Sequence, residues 1–352
     1  MKRRFGAKLW SVLALCGAVA LSGGLAACGG SSDTASASSS SGSGSNAQLN
    51  LVAYSTPKHA YDALTAAFAK TSLGKGVSFS ASYGPSGSQS KAVLAGQPAD
   101  VVAFSTEPDI SRLVDGGLIS SNWDANTYKG IVADSVVVFV VRKGNPKHIT
   151  SWNDLIKPGV SVVTPNPSTS GSAQWNIMAA YGAQLKQGKS PSQALAYVKT
   201  LLTKHVSVED PSGSTAMSTF TGGKGDVLLS YENEAISAEK AGEKVQYVIP
   251  KQTILIQTPD AVIKKSSHVK QAKSFVNWLW SAQAQKIWAQ QGYRPVVPSV
   301  LHKFKSKFPT PPQLFTMDSL GGWTQVKKKF FDPSSGLITK IQAAAGFPTA
   351  SS

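Results

Sequence analysis

The chain has 352 residues, with 35 Lys and Arg against 19 Asp and Glu, a formal charge of +16. Two cysteines exclude a disulfide-dense scaffold, and His59, His148, His205, His268 and His302 are scattered without ligand spacing, which excludes a histidine-built metal site. The basic balance reads as a solvated surface: Lys327, Lys328 and Lys329 are the only triple basic run beyond the start, and no aromatic or glycine-rich RNA-binding motif surrounds them.

Residues 1–27 read as an address. Lys2, Arg3, Arg4 and Lys8 precede an apolar run from Leu9 to Leu21 that is too short to span a bilayer. The run ends in Leu25-Ala26-Ala27-Cys28-Gly29, where small residues suit a peptidase and the cysteine supplies the thiol for a diacylglyceryl group, so a bacterial lipoprotein signal with lipidation at Cys28 is expected. Cys16 leaves with the signal, so neither a disulfide nor a cysteine metal site remains. Without the four basic residues of the signal, 31 Lys and Arg face 19 Asp and Glu, a formal +12. Residues 28–47 are mostly Ser, Gly, Ala and Thr, with too little apolar surface to offset ordering entropy, and read as a flexible tether.

Strand, turn and helix then alternate. Leu49 to Tyr54 reads as a strand, Ser55-Thr56-Pro57 as helix-start chemistry, and Tyr61, Leu64 and Phe68 share one helix face. Val77 to Tyr83 alternates as a strand and turns through Gly84-Pro85-Ser86-Gly87-Ser88 into a short helix. Asp100 to Phe104 is a buried strand, Pro108 to Val114 a helix closed by Gly116-Gly117, and Ser135 to Val141 a central strand. Val160 to Thr164 is a strand leading to a helix over 173–186, with another from Ser190 to His205. Val206 to Val208, a helix reaching Phe220 and the strand Asp226 to Ser230 follow, and one helix is expected from Gln271 to Gln290, burying Phe275, Leu279, Trp280 and Ile287. The Pro-rich, aromatic remainder is expected to pack over one lobe. Such alternation predicts an α/β sheet with helices on both faces.

Three strand-to-helix turns share a composition: Gly84-Pro85-Ser86-Gly87-Ser88, Thr169-Ser170-Gly171-Ser172 and Ser212-Gly213-Ser214-Thr215. The first amides of a helix lack internal acceptors and lie at the positive end of its dipole, glycine admits an anion close to the backbone, and serine adds a hydroxyl donor. Together the turns could enclose a tetrahedral anion with no cationic side chain; each alone is also ordinary capping chemistry.

Three stretches carry a resemblance: Val140 to Lys147 with Trp152 to Val160, Thr164 to Asn176, and Gly225 to Ala235; Tyr293-Arg294-Pro295 and Gly321-Gly322-Trp323 extend it. Together they resemble the sulfate-binding lipoproteins of ABC importers, especially the actinobacterial branch. The resemblance implies a two-lobed α/β fold of the type II periplasmic-binding-protein kind, with hinge strands between lobes: 48–141 as the first part of lobe 1, 142–252 as lobe 2, 253–346 as the return to lobe 1 with the C-terminal tail, and 347–352 as a disordered end. It implies sulfate donors at Ser86, Ser170, Gly171, Ser172, Gly213 and Tyr231, the last where enteric relatives carry a tryptophan. Ser55 stands where those relatives have an acidic residue. Trp152 and Trp175 read as core, and Glu232 and Glu234 as helix-start charges outside the site.

The expectation is therefore a monomeric solute-binding lipoprotein on the extracytoplasmic face of the membrane. It would deliver sulfate to permease subunits driven by a separate ATPase, with no catalysis, cofactor, metal or nucleic acid. Thiosulfate, molybdate and phosphate are the rival ligands. The enzyme rival is a serine acyl-transferase, because Ser88-Gln89-Ser90-Lys91 satisfies S-x-x-K, although S-D-N and K-T-G are both absent. Gly188-Lys189-Ser190 resembles the end of a P-loop, but Gly182 is one residue too far away.

Overall fold

The computed structural model describes residues 46–349, which lie within one compact unit, Gly44–Ser352. The signal sequence, Cys28 and nearly all of the expected tether fall outside the described residues.

Strand β1 (Ala47–Tyr54) leads through Ser55 to α1 (Lys58–Phe68), and β2 (Val77–Gly84), α2 (Ser86–Leu94), β3 (Val101–Ala103) and α3 (Glu107–Asp115) follow. β1 lies between β2 and β3 and runs parallel to both, with Ala47 opposite Val77 and Tyr54 opposite Gly84. Its helices therefore start at one edge of the sheet, where the strands end. α1 buries Tyr61, Leu64 and Phe68 as the helical spacing requires. No side chain caps it, however, and Thr56 donates instead to Glu234 Oε1 at 3.2 Å.

The 12-residue β4 (Ile131–Arg142) changes neighbours midway. Next come β5 (Val162–Pro165), α4 (Gly171–Lys186), α5 (Pro191–Thr200), β6 (Val206–Asp210), α6 (Gly213–Thr221), β7 (Val227–Tyr231), α7 (Glu232–Lys240) and β8 (Val245–Val248). The long β9 (Gln252–Val262) returns antiparallel to β4. α8 (Val269–Trp278), α9 (Ala282–Gln290), α10 (Pro298–Lys303), β10 (Gln313–Phe315), α11 (Gly322–Phe330) and α12 (Leu337–Ala344) complete the order.

Residues 131–136 of β4 pair with β9, whereas Val137–Val141 pair with β7, and β8 flanks the same end. β9 in turn reaches β3 at Asp260–Val262 and β10 at Gln252–Ile254. The strand order β2-β1-β3-β9-β4-β7-β5-β6 is thus two mixed α/β halves joined through two crossing strands. One apolar core gathers Leu49, Tyr61, Phe68, Phe275, Trp278 and Trp288; another gathers Trp152, Trp175, Tyr181 and Ile254. The C-terminal Trp323, Val326, Phe330 and Ile338 pack into the latter, with the Trp323 ring edge-on to Trp175.

Two expected helices differ. The segment expected as one helix over 271–290 is two, because the Ser281 hydroxyl accepts from the Ala284 amide and starts α9 afresh. The helix expected from Ser190 to His205 is regular only to Thr200 and finishes as a wider π-turn over Leu201–His205. Ser190 is the N-cap of α5 and Gly188 takes φ 81°, so this triplet closes one helix and opens the next.

Candidate functional site

Five strand-to-helix turns meet at one small cavity lined by Tyr54, Ser55, Thr56, Gly84, Pro85, Ser86, Ser105, Ser170, Ser172, Ser212 and Gly213. The turns before α1, α2 and α3 come from one half of the sheet, and those before α4 and α6 from the other; Tyr231, at the start of α7, stands behind them. No lysine, arginine or histidine is among the lining residues. No side chain caps the first amides of α1, α2 or α4, whereas Ser212 accepts from Thr215 N in α6. The uncapped amides leave strong donors at the positive helix ends.

Of the expected site residues, Ser86, Ser170, Ser172 and Gly213 line the cavity directly. The Ser86 hydroxyl is already engaged, donating to Asp109 Oδ2 at 2.6 Å and accepting from Ser105 N at 2.9 Å, which leaves its amide as the group to offer a ligand. Ser170 and Ser172 share one hydrogen bond between hydroxyls at 2.7 Å, so one of the two protons is free to donate. Gly171 lies one step back, where a Cβ would stand 2.8 Å from Thr106 Cγ2 and 2.9 Å from Ser105 Oγ. Tyr231 is fully buried, and its hydroxyl meets Ser105 Oγ at 2.7 Å. Burial pushes its pKa well up, so the phenol keeps its proton.

Contacts between the two sets of turns hold them closed on each other. Gly87 N donates to Thr169 O at 3.1 Å, and Trp175 Nε1 donates to Ser105 O at 2.7 Å. Trp175 is thus core, as is Trp152, whose indole donates to Gln252 O. Ser105 and Thr106 were not singled out by sequence; they follow a strand of three residues and precede Glu107 and Pro108, with no glycine to mark them. The Ser-Thr pair before an acidic helix start was the available signal.

The two glutamates of α7 differ from their reading as helix-start charges alone. Glu232 makes a buried bidentate pair with Arg294, at 2.7 and 2.9 Å. Glu234 stands against the cavity wall, its carboxylate oxygens 3.1 and 3.2 Å from where a Cβ on Gly213 would be. A larger cleft of about 700 Å³ opens between α3 and α11; Gly87 and Thr169 lie on its wall with Arg112, Lys327 and Trp323, but it shares no lining residue with the cavity. Ser88 and Lys91 are both exposed on α2; Lys91 lines that cleft and Ser88 does not, so the S-x-x-K pair shares no pocket in which an acyl group could be held. Among the described residues no cluster of His, Cys, Asp and Glu could hold a metal ion, and no helix is long and apolar enough to cross a membrane.

Comparison with known proteins places this geometry. A sulfate-binding protein of Synechococcus elongatus is 41% identical over 329 residues, 91% of this chain and 92% of its own. A thiosulfate-binding protein of Escherichia coli is 36% identical over 304 residues, 83% and 90% of the two chains. The solved structure of the sulfate-binding protein SubI from Mycobacterium tuberculosis H37Rv superposes with a TM-score of 0.80 at 47% identity, covering 81% of this chain and all of that one. The two-lobed type II α/β architecture is therefore the fold. The profile of the family described as bacterial extracellular solute-binding protein matches residues 49–294, and with relatives this similar over most of their length the chain belongs to that family.

Proposed function

We propose that this protein captures sulfate between its two lobes and delivers it to the permease of an ABC importer, whose energy comes from a separate ATPase. One observation carries the reading: helix starts from both halves of the sheet converge on a single cavity whose lining offers amides and hydroxyls but no cation. A fully ionised tetrahedral anion suits such a site, because it accepts at every oxygen and brings no proton that would need an acceptor. Amides at Ser86, Gly171, Ser172 and Gly213, a hydroxyl of the Ser170–Ser172 pair and the Tyr231 phenol are the donors assigned. The similarity to sulfate- and thiosulfate-binding proteins supports the ligand class.

The chain crosses between lobes within β4 and returns in β9, so that 48–141 with the part of 253–346 before β10 forms one lobe, and 142–252 with the C-terminal segment that packs into its core forms the other. A monomer held to the extracytoplasmic membrane face by lipid on Cys28, with 28–47 as tether, completes the proposal. Calorimetric titration of residues 46–352 with sulfate, thiosulfate, molybdate and phosphate tests it. Sulfate binding tightest is expected; tighter phosphate binding would overturn the assignment, and tighter thiosulfate binding would move it to that ligand.

A further inference from the structure

Ser105 lines the cavity, yet two of its three polar groups are already spent. Its amide donates to Ser86 Oγ at 2.9 Å, and its carbonyl accepts from Trp175 Nε1 at 2.7 Å. Only the hydroxyl is left to serve a ligand. That hydroxyl is confined: the residue is fully buried, and its Oγ stands 2.9 Å from the point that a Cβ on Gly171, the first residue of α4, would occupy. A serine from one half of the sheet is thus pressed against a helix start of the other.

Behind it stands Tyr231, whose hydroxyl meets Ser105 Oγ at 2.7 Å. Tyr231 is fully buried and is not one of the cavity-lining residues. Its phenol keeps its proton, and among the described residues Ser105 Oγ is its one hydrogen-bond partner. The direction of the bond follows. Were Ser105 the donor, the phenolic proton would be buried without an acceptor, a defect that folded proteins avoid because it costs the full desolvation of the group. Tyr231 therefore donates and Ser105 accepts. The serine proton is then unspent, and the cavity is where an acceptor for it can stand. A hydroxyl that accepts one hydrogen bond is polarised into a stronger donor of the next.

We propose that the Ser105 hydroxyl is a direct donor to the bound anion and that Tyr231 is a positioning residue acting through it, aiming the serine proton into the cavity and strengthening it. The inference rests on the reading of this cavity as an anion site and deepens it: the hydrogen bond assigned above to the phenol reaches the ligand by way of Ser105. The tyrosine that stands where enteric relatives carry a tryptophan is thus half of a two-residue donor. A tyrosine that merely filled space would cost the same with or without the serine hydroxyl, whereas a relay makes the two residues interdependent.

The experiment is calorimetric titration of the wild type, Ser105→Ala, Tyr231→Phe and the double variant with sodium sulfate, each held below the unfolding transition that a thermal melt of the ligand-free protein gives. Loss of a hydrogen bond to a charged ligand weakens binding by about ten- to a hundredfold, and Ser105→Ala is expected to fall in that range. Tyr231→Phe leaves the serine hydroxyl in place but unaimed and is expected to lose less, about two- to tenfold. The double variant is expected to bind no more weakly than Ser105→Ala, because the phenol has nothing left to act through. A Tyr231→Phe loss that exceeds that of Ser105→Ala, or that recurs in full in the double variant, overturns this inference alone, as does wild-type affinity in Ser105→Ala. The two single variants decide the ranking by themselves if the double variant does not fold. Failure of the wild type to bind sulfate overturns the anion reading itself, and this inference with it.

Discussion

At Gly171 the space between the two sets of turns is narrower than a methyl group requires. A Cβ there would lie 2.8 Å from Thr106 Cγ2 and 2.9 Å from Ser105 Cβ, both on the opposite half of the sheet. Gly171→Ala is therefore expected to hold the lobes apart and weaken sulfate binding, by about tenfold for each 1.4 kcal/mol of strain. Gly171→Asp, which adds negative charge beside the anion, is expected to abolish it. Calorimetry on both variants checks this, and unchanged affinity in Gly171→Asp would place the anion elsewhere. Ser86, Ser170, Ser172 and Gly213 were legible because serine and glycine at helix starts have a chemistry that sequence states directly. Ser105 was not, since its place in the cavity follows from tertiary packing: Tyr231 and Trp175, both from the other half, converge on its side chain and carbonyl. The contact of Glu234 with Thr56 was hidden for the same reason, because the two residues are 178 positions apart in the chain.

Among the elements, β4 and β9 carry the connection between halves, and each bears a buried acid. Asp134 on β4 is raised to a pKa of about 7 by burial, partly offset by Arg294, and its Oδ1 has no hydrogen-bond partner. Asp260 on β9 is raised to about 8 by burial, although the Tyr61 hydroxyl lies 2.7 Å from both its oxygens. Both pKa values lie above that of an unfolded aspartate, about 3.9, so the folded state holds the protons more tightly. Their contribution to stability is complete below the unfolded value and is lost as pH rises through the folded one. The Tm is expected to fall between pH 5 and pH 9, and less steeply in Asp260→Asn and Asp134→Asn; parallel profiles in thermal melts would refute this. The β-branched run of β4 announced a central strand, yet its change of partners midway was invisible, because pairing depends on segments 86 and more residues away. The break at Ser281 is local by contrast, and it was overlooked because apolar spacing continues across it and a single hydroxyl decides where the second helix starts.

For the whole molecule, alternation of strands and helices was enough to read the α/β class, while the two-lobed arrangement came through family motifs rather than periodicity. The contacts between the turns, Gly87 to Thr169 and Ser105 to Tyr231, describe a closed form. A ligand that must meet donors from both halves enters only when they separate. Solution scattering is expected to show a smaller radius of gyration with saturating sulfate than without it, and superimposable profiles would remove the two-state picture. The cation-free lining has one more consequence, for life in changing salinity. Where an ion is held by lysine or arginine at a surface, dissolved salt screens the attraction; here the charge is met by fixed dipoles inside an enclosure smaller than the screening length. Encounter with the basic exterior will slow in brine, but retention will not, so the receptor keeps its grip while its rate of capture follows the medium.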